Sequence, residues 1–156
     1  MARLDLADYL PYLLNRAGSR IAASFSQAVR IHGITLPMWR VLAALHHREG
    51  QRMSELAETT AIELSTLSRI VGTLATRELV ARTRPAGDAR TVTVHRTAAG
   101  RALTGQVIPL AAHYEDVALS GFSEDEAVVL KAMLRRVYAN MDRLEEELDG
   151  ERPGVA

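Results

Sequence analysis

The hydrophobic period of this chain changes once and then changes back. Through residues 53–77, "MSELAETTAIELSTLSRIVGTLATR", apolar residues recur at three and four, as on one face of a helix. In "VARTR" (80–84) and "RTVTVH" (90–95) they alternate, around a turn holding Pro85 and Gly87. That pattern predicts a β-hairpin. From Thr97 onward the helical period returns. The expected fold is mainly α with a small β-hairpin, within the α+β class.

The remaining helices follow from spacing and punctuation. Residues 6–32 read as one long helix, with Leu6, Tyr9, Leu10, Leu13, Leu14, Ala17, Ile21 and Phe25 on a stripe. Pro11 falls in its first turns, and Gly33 follows its end. Thr35 is an N-cap for a second helix reaching about His47, with Pro37 in its first turn. A short third helix begins near Ser54, and a fourth covers roughly 64–77. Thr97 can cap a fifth helix to about Ala118, which Pro109 is expected to kink. Ser123 and Glu126 have capping-box spacing at the start of the sixth. Its stripe includes Val129, Met133, Val137 and Met141. The long terminal stripes exceed what the small middle region can cover. A homodimer through the terminal helices is therefore expected, an intramolecular three-helix bundle being the alternative. The expected division is a dimerisation helix over 1–34, a middle domain over 35–96, dimerisation helices over 97–150 and a frayed tail over 151–156.

Residues 53–77 have the length of a helix-turn-helix. The second helix opens on Ser65, Thr66, Ser68 and Arg69, small or donating side chains that can enter a major groove and reach base edges and phosphates. An ordinary helical hairpin with a wet face is the blander alternative. The hairpin that follows adds a wing, so the whole reads as a winged helix-turn-helix. Arg82, Arg84 and Arg90 line it. Asp88 can accept turn amides or hold the Arg90 guanidinium in one orientation. Without DNA, the same arginines would be a solvated edge that discourages strand aggregation.

Charge supports a local reading only. The net charge is zero. Residues 64–101 nevertheless hold seven arginines against Glu78 and Asp88, while 122–152 hold nine acids against five bases. That asymmetry suggests one anion-binding face. Eighteen of the nineteen basic residues are Arg, suited to phosphate, although genome-wide base composition yields the same bias. There is no cysteine, which excludes disulfides, thiolate metal sites and thiol redox sensing. No apolar run approaches the ~20 residues of a membrane span, and the N-terminus does not read as a signal peptide. A cytoplasmic protein is expected. His32, His46, His47, His95 and His113 show no metal spacing. No phosphate loop or nucleophile motif is present. No metal, cofactor or enzymatic activity is expected.

At "GDARTVTVHRTAAG" the sequence resembles the MarR family of bacterial transcription regulators. The family's wing pattern is Asp-x-Arg, five residues, then Leu-Thr-x-x-Gly. Asp88, Arg90, Thr97 and Gly100 match it. Arg96 stands where the pattern has Leu, so a different cap on the fifth helix is expected. "STLSRIVGTLATRELVAR" looks like the family's recognition helix and first wing strand. Glu78 replaces a glycine usual there, so the helix end is expected to shift and avoid left-handed strain.

The resemblance implies a homodimer on a pseudo-palindromic operator. Ser65, Thr66, Ser68 and Arg69 would face the major groove, Arg90 the minor groove with Asp88 as support, and Ser54 a phosphate. It also implies release by a small effector, an aromatic carboxylate or an aromatic acyl-CoA. Arg16, Arg20, Trp39, Arg40, His113 and Tyr114 are the candidates for that pocket; the alternative is surface ion-pair arginines and a core Trp39. Two other functions stay open: a winged-helix protein-interaction module that never touches DNA, and a small-molecule binding protein or enzyme using the interhelical cavity.

Overall fold

The structure, a computed structural model, describes residues 4–84 and 91–150, with side chains as far as residue 143. The order is α1 (Leu10–Val29), a 3-10 turn (Arg30–His32), α2 (Leu36–His47), β1 (Gln51–Arg52), α3 (Met53–Thr60), α4 (Leu64–Thr76), β2 (Val80–Thr83), β3 (Thr93–Arg96), α5 (Ala98–Ala118) and α6 (Glu124–Gly150). The chain forms two compact units, Met1–Glu115 and Asp116–Ala156. Among the described residues no helix is long and apolar enough to cross a membrane.

The first unit holds the core. Phe25 and Val29 of α1, Val41, Leu42 and Leu45 of α2, Leu56 of α3, Leu67, Val71 and Leu74 of α4, Val94 of β3 and Val107 of α5 are all buried. Helices α1 to α5 and strands β2 and β3 thus each contribute buried apolar residues to one cluster.

Helix α1 starts at Leu10 rather than at residue 6. Pro11 has no amide proton and is best tolerated in a first turn, which favours a start next to it. Asp5 instead closes a turn, its carboxylate accepting from the Ala7 amide at 2.9 Å. Gly33 ends the 3-10 turn with φ 72°. Thr35 caps α2, its hydroxyl accepting from the Met38 amide at 3.4 Å. α5 runs through Pro109 to Ala118, the expected end.

The sheet has three strands, not two, in the order β1-β3-β2. β2 and β3 pair antiparallel as the expected hairpin, with Val80 opposite Arg96 and Thr83 opposite Thr93. β1 adds Gln51 opposite Val94 and Arg52 opposite Thr93. Gln51 is buried and its amide donates to the carbonyls of Ala44 at 2.8 Å and Arg48 at 2.7 Å, closing the end of α2.

Two expectations at the end of the wing are corrected. The end of α4 does not shift to spare Glu78, which adopts the left-handed φ of 57°. The Glu78 amide donates to Ala75 O and the Leu79 amide to Leu74 O, both at 2.9 Å, so the end of the helix stays hydrogen-bonded. Nor does Arg96 change the cap on α5. Thr97 provides it, its hydroxyl accepting from the Gly100 amide at 3.0 Å and donating to Glu78 O at 2.6 Å. Gly100 lies so close to Leu79 that a Cβ would come within 1.9 Å of the Leu79 carbonyl oxygen. These contacts give the Thr-x-x-Gly spacing a physical reason: the threonine ties α5 to the end of α4, and the glycine lets the backbones meet.

Arg96 instead turns inward. It is only 8% exposed. Its Nε donates to Glu49 Oε1 and its amide to Glu49 Oε2, each at 2.9 Å, and Nη1 lies 3.2 Å from His46 Nδ1. The end of β3 is thereby clamped to the corner between α2 and β1.

In the second unit, Ser123 and Glu126 form the expected capping box, with bonds of 2.8 and 3.3 Å. Along α6, Val128, Val129, Met133, Leu134, Tyr138 and Met141 are exposed.

Candidate nucleic-acid interface

α3 and α4 are joined by three residues, Ala61–Glu63. Ala61 makes the turn with a left-handed φ of 51°. The turn bonds back into α3, from the Ala61 amide to Glu58 O and from the Ile62 amide to Ala57 O, both at 3.2 Å.

α4 is sharply two-sided. Leu67, Val71 and Leu74 are buried, while Ser65, Thr66, Ser68 and Arg69 are exposed on the other side. Arg69 Nη2 donates to Thr66 Oγ1 at 3.4 Å, which lays the guanidinium back along the helix. The hydroxyls of Thr73 and Thr76, further along α4, bond to the carbonyls of Arg69 and Gly72. Ser54 is exposed near the start of α3.

The wing's first strand lies beside this face. Arg82 Nη2 donates to the Ser68 carbonyl at 3.4 Å, joining β2 to the middle of α4. Arg84 is exposed. Met53, Ser68, Arg82, Thr83, Arg84 and Val92 line a cleft of about 490 Å³ between the helix-turn-helix and the wing. Two cations, two hydroxyls and two apolar side chains lining one cleft suit a polyanion that also carries stacked bases. Asp88 and Arg90, the proposed brace and probe, lie outside the described residues.

Glu63 escaped the sequence reading. Its Oε1 accepts from the Ser65 amide at 3.0 Å and its Oε2 from the Thr66 amide at 3.1 Å. Oε2 also accepts from the Ser65 hydroxyl. The hydroxyl bond first, then the two amides, pull the Glu63 carboxyl down to about 2. The available signal was an acid directly before an apolar-periodic helix opening on Ser and Thr. Glu49 as the partner of Arg96 left no local signal, because the two are far apart in sequence.

The six effector candidates divide. Trp39 and Tyr114 meet on Phe25, with edge-on ring contacts at 6.0 and 5.2 Å between centroids. The Tyr114 hydroxyl donates to Ser24 O at 3.3 Å, and His113 contacts Tyr114 edge-on. Arg16 lies over the Tyr12 ring at 5.6 Å. Nine residues along a helix turn it about 180° away from Phe25, so Arg16 faces away from that aromatic cluster. Arg20 and Arg40 are exposed.

Comparison with known proteins agrees with this architecture. The MarR family model matches residues 32–91. The chain is 30% identical over 133 residues to the HTH-type transcriptional repressor NicR of Pseudomonas putida, covering 85% of this chain and 84% of that protein. A MarR-family transcriptional regulator from Silicibacter pomeroyi superposes with a TM-score of 0.81 at 30% identity, covering 89% and 96% of the two chains. Bordetella bronchiseptica BpsR, whose DNA binding is regulated by 6-hydroxynicotinic acid, superposes at 0.74 with 29% identity over 83% and 98%. A helix-turn-helix running straight into a wing, locked to the next helix by Thr97 and Gly100, has relatives of one kind over most of its length: the chain belongs to the MarR family of transcriptional regulators.

Proposed function

We propose that this chain acts as a homodimeric repressor that binds a pseudo-palindromic operator and is released by a small aromatic acid. The observation that carries the reading is the exposed Ser65–Arg69 face of α4 beside Arg82 and Arg84, with the helix's apolar stripe turned into the core. Each subunit sets α4 in the major groove and Arg90 of the wing in the flanking minor groove, with Ser54 on a phosphate. Residues 35–96 form the DNA-binding domain. Residues 1–34 and 97–150 supply the dimer contacts, for which the exposed Leu6, Tyr9, Leu10 and Leu13 near the N-terminus and the exposed row on α6 offer apolar surface.

The effector reading rests on likeness to BpsR and on the ring cluster of Phe25, Trp39 and Tyr114. An aromatic carboxylate stacks with the rings and pairs with Arg16, Arg20, Arg40 or His113. Arg16, turned away from its own subunit's rings, serves best if it reaches the partner's pocket. Release follows from geometry. Two recognition helices must sit one DNA turn, roughly 34 Å, apart. A ligand that prefers a dimer of another spacing weakens operator binding by the ratio of its two affinities.

The test is a mobility shift on the DNA flanking the chain's own gene, with aromatic acids and their CoA thioesters added. Retarded duplex released by acids alone supports this reading. Release by thioesters alone replaces the effector class, and no retardation of any duplex removes the DNA reading. Arg90→Ala should weaken binding about tenfold with the dimer intact, for a charged contact in a narrow groove.

A further inference from the structure

The outer face of α4 carries a polarity that its residue types alone do not reveal. A serine hydroxyl has one proton and two acceptor lone pairs, and it normally rotates to suit its partner. Here Ser65 cannot. Its hydroxyl donates to Glu63 Oε2, while its own amide and that of Thr66 hold the same carboxylate in place. Oγ of Ser65 therefore offers only lone pairs outward. The neighbouring Thr66 hydroxyl accepts from Arg69 Nη2 at 3.4 Å.

In the major groove the partners of an acceptor are few. Guanine shows N7 and O6, thymine O4 and adenine N7, all acceptors; only the N6 amino group of adenine and the N4 amino group of cytosine donate. We propose that Glu63 is a specificity-determining residue: by holding the Ser65 proton it makes the start of α4 an acceptor edge that selects an adenine or cytosine amino group and rejects guanine O6 or thymine O4 at one position of each half-site. Glu63 acts through Ser65, and its exposed negative charge also opposes phosphate there, so this end of the helix gains from bases and not from the backbone. The inference rests on the reading of α4 as the recognition helix.

Functional-group deletion in the operator tests it. Purine in place of adenine and 2-pyrimidinone in place of cytosine lack the exocyclic amine. 2-Aminopurine in place of guanine lacks O6, and 5-methyl-2-pyrimidinone in place of thymine lacks O4. Wild type, Ser65→Ala and Glu63→Ser are titrated against each duplex. Glu63→Ser retains a good N-cap, and a thermal melt within a few degrees of wild type confirms that the helix start survives. At one position per half-site, amine deletion should weaken the wild type about fivefold, the worth of one hydrogen bond. The same deletion should leave Ser65→Ala almost unaffected, while Glu63→Ser, whose freed Ser65 hydroxyl can either donate or accept, should keep that response but also bind almost as well when guanine or thymine stands at the position. The inference is overturned if the position that responds to Ser65→Ala responds to carbonyl deletion instead, or if Glu63→Ser rejects guanine or thymine at that position as strongly as wild type does. It is overturned alone, with the recognition-helix reading intact, if operator binding persists and Ser65→Ala matches wild type on every duplex. Wild-type protein with no preference for any duplex overturns both.

Discussion

Ala61 and Glu78 hold left-handed backbone without the freedom of glycine, at φ of 51° and 57°. Both end a helix, α3 and α4 respectively, where the chain must reverse, so the conformation is imposed by the fold. Relief of the Cβ clash outweighs the extra unfolded-state freedom of glycine, and Ala61→Gly and Glu78→Gly should each stabilise the chain by roughly 0.5–1 kcal/mol. A urea midpoint that rises with unchanged m would show it. Gly100 is the converse. Its Cβ would collide with a backbone carbonyl, so Gly100→Ala should cost about 1–3 kcal/mol in the same experiment. Arg96 and Glu49 make a third residue-level test. Glu49→Ala strands a buried guanidinium, although Glu49 itself is 37% exposed and partly screened. A loss of about 2 kcal/mol is expected, with Arg96→Leu costing less because it removes the charge along with its partner.

Three helix starts engage carboxylates. Glu55 accepts from the Arg52 amide, Glu63 from the Ser65 hydroxyl and the two amides, and Glu126 from the Ser123 amide. All three pKa values are lowered, mainly by those hydrogen bonds. A depressed carboxylate stabilises the fold above its unfolded value, and that stability is lost as pH falls through its folded value. For Glu63 the window runs from 4.5 down to about 2. Thermal melts across that range should show a falling midpoint, and Glu63→Ser should flatten part of the slope.

Much at this scale was readable beforehand. Thr35, Thr97 and the Ser123–Glu126 pair announce helix starts by side-chain chemistry local in sequence, and the change of period announces the hairpin. β1 was not readable, because two residues cannot show a period. The clamp from Glu49 to Arg96 was not readable either, because a pair 47 residues apart leaves no local pattern. At the candidate interface the face of α4 was legible from Ser65 to Arg69. Glu63 was not, because its effect depends on where its oxygens point.

At the scale of the whole molecule, a net charge of zero conceals a basic middle and an acidic C-terminal stretch. DNA binding must then depend on where arginines are placed and not on bulk attraction. On the proposed pseudo-palindromic operator it would also depend on a dimer, since one helix-turn-helix reads only half a palindrome. Val129→Asp with Met133→Asp, both exposed on α6, should convert a dimer to a monomer in analytical ultracentrifugation. The same pair should weaken operator binding by at least about 100-fold, as expected when two linked half-site contacts become separate.

The most direct measurement is fluorescence anisotropy of a labelled operator, titrated with wild type and with Arg69→Ala over a series of salt concentrations. Wild-type affinity should fall linearly on a log–log plot, with a slope near −0.9 per phosphate contact. Arg69→Ala should weaken binding about tenfold or more at each salt concentration, for a charge-assisted bond to base or phosphate, with its thermal midpoint unchanged. Equal affinity of Arg69→Ala and wild type, on the operator and on unrelated duplexes alike, would contradict the assignment of α4 as the helix that meets DNA.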